Sequence, residues 1–250
     1  MNYESDVYWN RGVSHTINQD SLILLQALTS QGRVLMAVIC DGMGGMDMGE
    51  CASGYLVEEL VTWFYDGLLD AIGKKKALWI IRRCVERRIY QIQSRMQHYA
   101  DKRSIEMGTT LSMLVLWEKK YMLWHLGDSR VYRLSSGLIG KGIPGKESQS
   151  KVRLLTNDHA DDKGRLYKCV GNFGYFVPDF KMGNIKKGEA FLLCSDGFRN
   201  RIDMDEISEV LSPGKMAEDK IRKRLREIGE ATIRRGERDD LSAVYVRVCG

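Results

Sequence analysis

Residues 34–40 read Val-Leu-Met-Ala-Val-Ile-Cys, with no polar side chain at either parity. Successive side chains of a strand point to opposite faces, so a strand apolar at every position has to be covered on both. The run ends in Asp41-Gly42-Met43-Gly44-Gly45. One carboxylate at a strand tip, followed by three glycines in four residues, implies a close approach to the backbone there.

Further strand-like runs lie at 21–27, 110–117, 121–126, 130–134, 190–194 and 242–248, and Glu118-Lys119-Lys120 reads as a hairpin link. Three segments have helical spacing. The first carries Ala52, Leu56, Leu60, Trp63/Phe64 and Leu68. The second carries Leu78, Ile81, Val85, Ile89, Ile92, Met96 and Tyr99. The third, opened by Pro213, carries Ala217, Ile221, Leu225, Ile228 and Ala231. Each reads as an apolar stripe opposite a basic face. Strands, a helical pair, many strands and a last helix do not alternate as βαβ units. The expected class is α+β, with antiparallel sheets between helix layers. No repeat or linker divides the 250 residues, so one domain over 1–250 is expected, with an exposed Gly/Ser/Lys-rich loop at 135–151.

The net charge of +5 is mild, and much of it lies at 74–88 and 220–238. Both stretches read as solvated helix faces, and no nucleic-acid recognition motif accompanies them. No run reaches the roughly 18 apolar residues of a membrane span, and the first residues lack a signal-peptide pattern. Cys40, Cys51, Cys84, Cys169, Cys194 and Cys249 form no C-x-x-C pair, which argues against zinc and for a reducing cytoplasm. Cys40 and Cys194 read as small core residues.

The acid at the end of β-like segments recurs. Gly127-Asp128-Ser129, Ser195-Asp196-Gly197, Arg238-Asp239-Asp240 and Asn18-Gln19-Asp20 join Asp41 in turn context at strand ends. One Asp before Gly is ordinary turn chemistry. Acids at five strand ends are different, because carboxylates gathered without bases resist joint ionisation. A hard divalent cation such as Mg²⁺ or Mn²⁺ resolves the conflict, with Gly42 a natural carbonyl donor. Two such ions with a shared water make a hydrolytic site, and no nucleophile motif competes with that reading.

In this order, Gly12…Asn18-Gln19-Asp20, Asp41-Gly42-Met43-Gly44-Gly45, Met107-Gly108-Thr109-Thr110, Gly127-Asp128-Ser129-Arg130, Thr156-Asn157-Asp158-His159, Ser195-Asp196-Gly197 and Asp239-Asp240 resemble the metal-dependent PP2C-type Ser/Thr protein phosphatases in their compact bacterial form. The resemblance implies two stacked antiparallel sheets flanked by helices, a four-layer αββα sandwich. It implies two Mn²⁺ or Mg²⁺ ions bridged by Asp41, with Asp196 and Asp239 on one and the Gly42 carbonyl on the other. Asp20 would hold metal-bound water, and Asp128 would contribute to a third, weaker metal. The implied substrate is a phosphoserine or phosphothreonine protein, the setting a Ser/Thr kinase pathway, and the expected state a monomer in the cytoplasm, with neither nucleic acid nor membrane as partner.

The chain departs from the family pattern at several points. His15 stands where the family has a phosphate-gripping Arg; it either donates one hydrogen bond to the phosphate or only packs. Gln19 replaces a common Glu. Met43 stands where many eukaryotic members have a proton-donating His, which leaves water as the proton source. Only about eleven residues separate His159 from Val170-Gly171, which leaves little room for a substrate-selecting flap. His125 reads as a core or supporting histidine, His98 as solvated and His159 as a turn stabiliser. These departures open an alternative, a regulatory or phosphoprotein-binding module with a weakened site. Gly140–Lys146 matches a phosphate-binding loop, but Glu147 follows where Ser or Thr is needed.

Overall fold

In the computed structural model, which describes residues 1–43, 48–135, 151–171, 174–214 and 220–250, the apolar run becomes strand β3 (Gly32–Asp41). Its side chains serve two cores. Val34, Met36, Val38 and Cys40 pack into one cluster, and Leu35, Ala37 and Ile39 into another. The double burial inferred from the sequence is thus met by a different layer on each face.

β3 lies inside a five-stranded sheet of order β10 (Asp179–Asn184), β6 (Lys120–Leu126), β5 (Leu111–Trp117), β3, β2 (Asp20–Thr29). The second five-stranded sheet has the order β1 (Asn2–Asn10), β12 (Leu241–Cys249), β11 (Glu189–Cys194), β7 (Arg130–Ser135), β8 (Lys151–Leu154). All of these pairings are antiparallel. A small ladder joins β4 (Gly108–Thr109) to β9 (Val170–Gly171). Between the sheets, Leu35, Ile39 and Leu114 meet Phe191, Leu193 and Val244.

The outer face of the first sheet is covered by α1 (Gly49–Trp63) and α3 (Leu78–Arg103), through Leu56, Leu60, Ile81, Val85, Ile89 and Ile92. A π-helical turn (Phe64–Leu68) and the short α2 (Leu69–Gly73) continue α1. The outer face of the second sheet is covered by α4 (Asp196–Arg199), α5 (Met204–Val210) and α6 (Ile221–Arg234), through Phe198, Ile207, Leu225 and Ile228. The result is the expected αββα sandwich. Each side chain taken fully out of water contributes about 1.5–3 kcal/mol against conformational entropy.

Several local expectations need correction. α1 has no basic face; it carries Glu58 and Glu59, and Glu59 receives Arg88 at 2.6 Å and Arg95 at 3.0 Å from α3. The cross-helix ion pairs join α1 to the basic face of α3. Tyr99 is not in the α3 stripe; it is exposed beneath the Arg103 guanidinium, 3.9 Å from its ring centre. Ala217 and the Gly140–Lys146 segment lie outside the described residues, as do Gly44 and Gly45. Strand β1 is absent from the sequence reading because Glu4 and Asp6 break its apolar pattern. Both acids are paired, with Arg247 and Arg222.

Candidate metal-binding active site

The β2–β3 register sets Asp20 opposite Asp41. Asp41 is locked from the neighbouring sheet end: its amide donates to Thr110 Oγ1 at 2.9 Å, and its carbonyl accepts from the Thr110 amide at 2.8 Å and Thr109 Oγ1 at 3.0 Å. Thr110 Oγ1 in turn shares a proton with Ser129 Oγ at 2.8 Å. The next residue explains one of the glycines. The Gly42 amide donates to the Gln19 carbonyl at 3.0 Å, and a Cβ at Gly42 would fall 2.3 Å from the Gly49 carbonyl oxygen and 2.6 Å from that of Gln19. The close approach inferred from the sequence is therefore, at Gly42, an approach of the protein's own backbone.

Three other turns bring acids to the same end. Asp128 follows Gly127, whose φ of +107° suits glycine, and the turn is held by His159: its Nδ1 accepts from the Gly127 amide at 3.1 Å, and its amide donates back at 2.8 Å. Asp196 opens α4. A Cβ at Gly197 would lie 2.2 Å from the Asp240 carbonyl oxygen, so α4 starts tightly against the turn that carries Asp239. Asp240 is buried and fully engaged. Its Oδ1 accepts from the Gly12 amide at 2.8 Å; its Oδ2 accepts from the Gln19 amide at 2.8 Å and meets His15 Nδ1 at 2.9 Å. His15 Nδ1 also lies 3.6 Å from Asp239 Oδ1. Thus Asp240 clamps the loop that leads into Asp20, and His15 is hydrogen-bonded to that carboxylate.

The acids act on one another. Burial, then the charges of Asp20, Asp196, Asp128 and Asp239, push the Asp41 carboxyl well above its ordinary range. Burial pushes Asp20 up to about 7; the Ser242 and Ser195 hydroxyls oppose this, and Asp240 and Asp196 add to it. Burial and Asp196 push Asp128 up to about 6, against the pull of Arg199. Burial and Asp196 also raise Asp239. Asp20, Asp41, Asp128, Asp196 and Asp239 therefore share one electrostatic neighbourhood.

This donor set fits a hard divalent cation. The oxygens are carboxylates, and the buried Asp20 Oδ2 and Gln19 Oε1 have no hydrogen-bond partner. A buried orphan acceptor is costly unless a cation or ordered water meets it. His15, Asp239 and Asp240 also bring ligand atoms within 4.8 Å of one another. Both Asp240 oxygens, however, are already engaged by amides and His15.

The other histidines keep their expected places. His125 is buried between Ser112 Oγ at 2.9 Å and the Asn157 carbonyl at 3.0 Å, and burial drives it down to about 4. It stacks on His159, with ring centres 5.0 Å apart. His98 is exposed. Three residues beside the site escaped the sequence reading in their roles. Asp240 was only one of two adjacent acids, Thr110 only part of a motif, and Arg199 carried no signal beyond its place three residues after Asp196.

Fold and acid cluster together define a class, the αββα hydrolases built on carboxylate-rich strand ends. The sequence profile of the protein phosphatase 2C family matches residues 11–228. The chain belongs to that family and is a metal-dependent protein phosphatase. Protein phosphatase PhpP of Streptococcus pneumoniae is 27% identical over 215 residues, covering 80% of this chain and 81% of that protein. Serine/threonine phosphatase stp of Listeria innocua is 23% identical over 185 residues, covering 70% and 71%. Among solved structures, Stp1 of Staphylococcus aureus superposes with a TM-score of 0.80 at 20% identity, covering 100% of this chain and 96% of that one. The catalytic domain of PstP, crystallised with two manganese ions, superposes with a TM-score of 0.74 at 22% identity, covering 99% of each chain. At these identities the structural likeness is one of fold.

Proposed function

We propose that this chain is an active Ser/Thr protein phosphatase, a single domain over residues 1–250 that hydrolyses phosphoserine and phosphothreonine in proteins. The observation that carries the reading is the convergence of Asp20, Asp41, Asp128, Asp196 and Asp239, with raised carboxyls among them and an unpartnered buried oxygen on Asp20. Two divalent ions, Mn²⁺ or Mg²⁺, would supply charge neutralisation at the phosphoryl group and an acidified water for in-line attack. Asp41 would bridge them, with Asp196 and Asp239 on one and the Gly42 carbonyl on the other. Asp20 would accept a hydrogen bond from water at the site. His15, its Nδ1 turned to Asp240, has only Nε2 left for the phosphate. The departing seryl or threonyl oxygen takes its proton from water, since the Met43 thioether has none to give. The alternative of a non-catalytic binding module gains no support, because the five acids are all in place.

The substrate class places the enzyme opposite a Ser/Thr kinase, and we assign it to the cytoplasm as a monomer. All six cysteines are free, which suits a reducing compartment. Among the described residues, no helix is long and apolar enough to cross a membrane.

The test is hydrolysis of a phosphothreonine peptide with Mn²⁺, with Mg²⁺ and with EDTA, beside Asp196→Asn. Turnover that needs metal and vanishes in the variant is expected. Folded protein that turns over with neither metal would overturn the reading.

A further inference from the structure

Asp128 differs from the other acids in having a cation beside it. Arg199 ends α4, three residues after Asp196, so the helical turn sets the two side chains on one face. Arg199 Nη2 lies 3.3 Å from the Asp128 carbonyl oxygen and 3.6 Å from Asp158 Oδ2, and Nη1 meets Asn200 Oδ1 at 3.1 Å. The side chain is only 14% exposed, and its Nε is buried without a partner. Asp158 is shared between two arginines. That carboxylate is already held by Arg130, with Nε at 3.0 Å from Oδ1 and Nη2 at 2.7 Å from Oδ2. The Arg199 charge is thus only partly offset by a carboxylate it shares with Arg130, and it lies against Asp128.

We propose that the Arg199 guanidinium is the resident cation of the Asp128 corner, and that it limits this centre to two divalent ions. The inference rests on the two-ion reading above and denies the third ion that the family resemblance implies. Its physical ground is charge. A guanidinium cannot shed its proton in a protein. A divalent ion at Asp128 would face this fixed positive charge across a partly desolvated gap, where like charges repel more strongly than in water. It would also have to compete for a corner whose carbonyl already accepts from Arg199.

The test is Mn²⁺ binding to the whole chain, followed by calorimetry and equilibrium dialysis, for wild type, Arg199→Gln, Arg199→Ala and Arg199→Lys. Two ions per chain are expected for wild type and Arg199→Lys. Three are expected for the neutral variants, the third at least about tenfold tighter than any third event in wild type. Adding Asp128→Ala to Arg199→Gln should abolish the third. Circular dichroism and thermal melts select variants that fold, and Gln keeps bulk and polarity where Ala does not. Three ions in wild type, with affinities that Arg199→Gln leaves unchanged, would overturn the proposal. So would two ions in a folded Arg199→Gln. Binding of no ion by wild type and variants alike would overturn the two-ion reading itself, a distinct and recognisable failure.

Discussion

Asp158 and Asp41 are both near Asp128, and the fold treats them in opposite ways. Burial pushes Asp158 up, but the forked pair with Arg130, joined by the charge of Arg199, outweighs it and holds the carboxyl below its ordinary range. Asp41 has burial and four other acids, and stands well above. Glu206 follows the first pattern, with Arg235 at 2.7 Å. Asp20, Asp128 and Asp239 follow the second. Acids that serve the architecture receive an arginine from it. Acids of the candidate site receive mainly one another, an arrangement that weakens the metal-free protein and that divalent cations would relieve.

The sharpest way to break this contrast is to neutralise one acid of each kind. Asp41→Asn should cut metal-dependent phosphopeptide turnover by about a thousandfold or more, since it removes the proposed bridge. It should also raise the melting temperature of the metal-free protein, because it removes repulsion. Asp158→Asn should do the reverse, lowering stability by about 1–2 kcal/mol through the loss of a half-buried forked pair. Melting curves in EDTA check both signs. A metal-free Asp41→Asn less stable than wild type would erase the distinction between the two kinds of acid.

Asp240 stands between them: it sits in the acid cluster but is satisfied by donors. Asp240→Ala would leave the Gly12 and Gln19 amides and His15 unpaired, costing about 2–3 kcal/mol by urea unfolding. Asp240→Asn keeps one acceptor oxygen and should recover part of that. If Asp240 only positions the loop, metal affinity should track these stabilities. A folded Asp240→Ala with wild-type stability and wild-type Mn²⁺ affinity would remove the clamp.

The pH dependence follows from the same groups. Asp20 holds its proton up to about 7 in the folded protein, whereas an unfolded aspartate releases it near 3.8. The folded state therefore binds more protons across that window, and stability falls as pH rises through it. His125 opposes this at the acid end: its folded value of about 4, against 6.5 unfolded, makes stability rise over that range. Above about pH 6.5 the histidine contribution is spent and the carboxylates remain. Metal-free protein should lose melting temperature between about pH 6.5 and 8, at up to about 1.4 kcal/mol per unit for each titrating group. Saturating Mn²⁺ should flatten the curve. A metal-free curve already flat in that window would mean that these acids are not raised.

The architecture and the five acids could be read from the chain because both are written in local pattern. Val34–Cys40 has no polar parity, and its alternate side chains fill two different cores. Each acid sits at a strand end beside a turn signal. What the chain conceals is partnership across distance. Asp240 and Gly12 are 228 residues apart, and Arg199 reaches Asp128 across 71. β1 was hidden because its acids, harmless once paired with Arg247 and Arg222, look like solvent-facing residues in isolation. The basic face assigned to α1 failed for a related reason. The base belongs to α3, and only packing shows that α1 supplies the matching Glu59.

The finest test of the contrast concerns His15, the base beside Asp239 and Asp240. Its Nδ1 is taken by Asp240 and lies near Asp239, so at most Nε2 can reach the phosphate. An arginine there brings a permanent charge and a forked donor. It could meet the phosphate and still lean on Asp240. His15→Arg should therefore lower KM for a phosphothreonine peptide a few-fold and change kcat little, with the effect shrinking at high salt. The two readings of His15 then separate. A lower KM means that position 15 faces the substrate, and that histidine is a weak form of that contact. An unchanged KM together with a lower melting temperature means that residue 15 serves the Asp240 clamp alone. In that case His15 joins Asp158 and Arg130 among the charges used to build the fold.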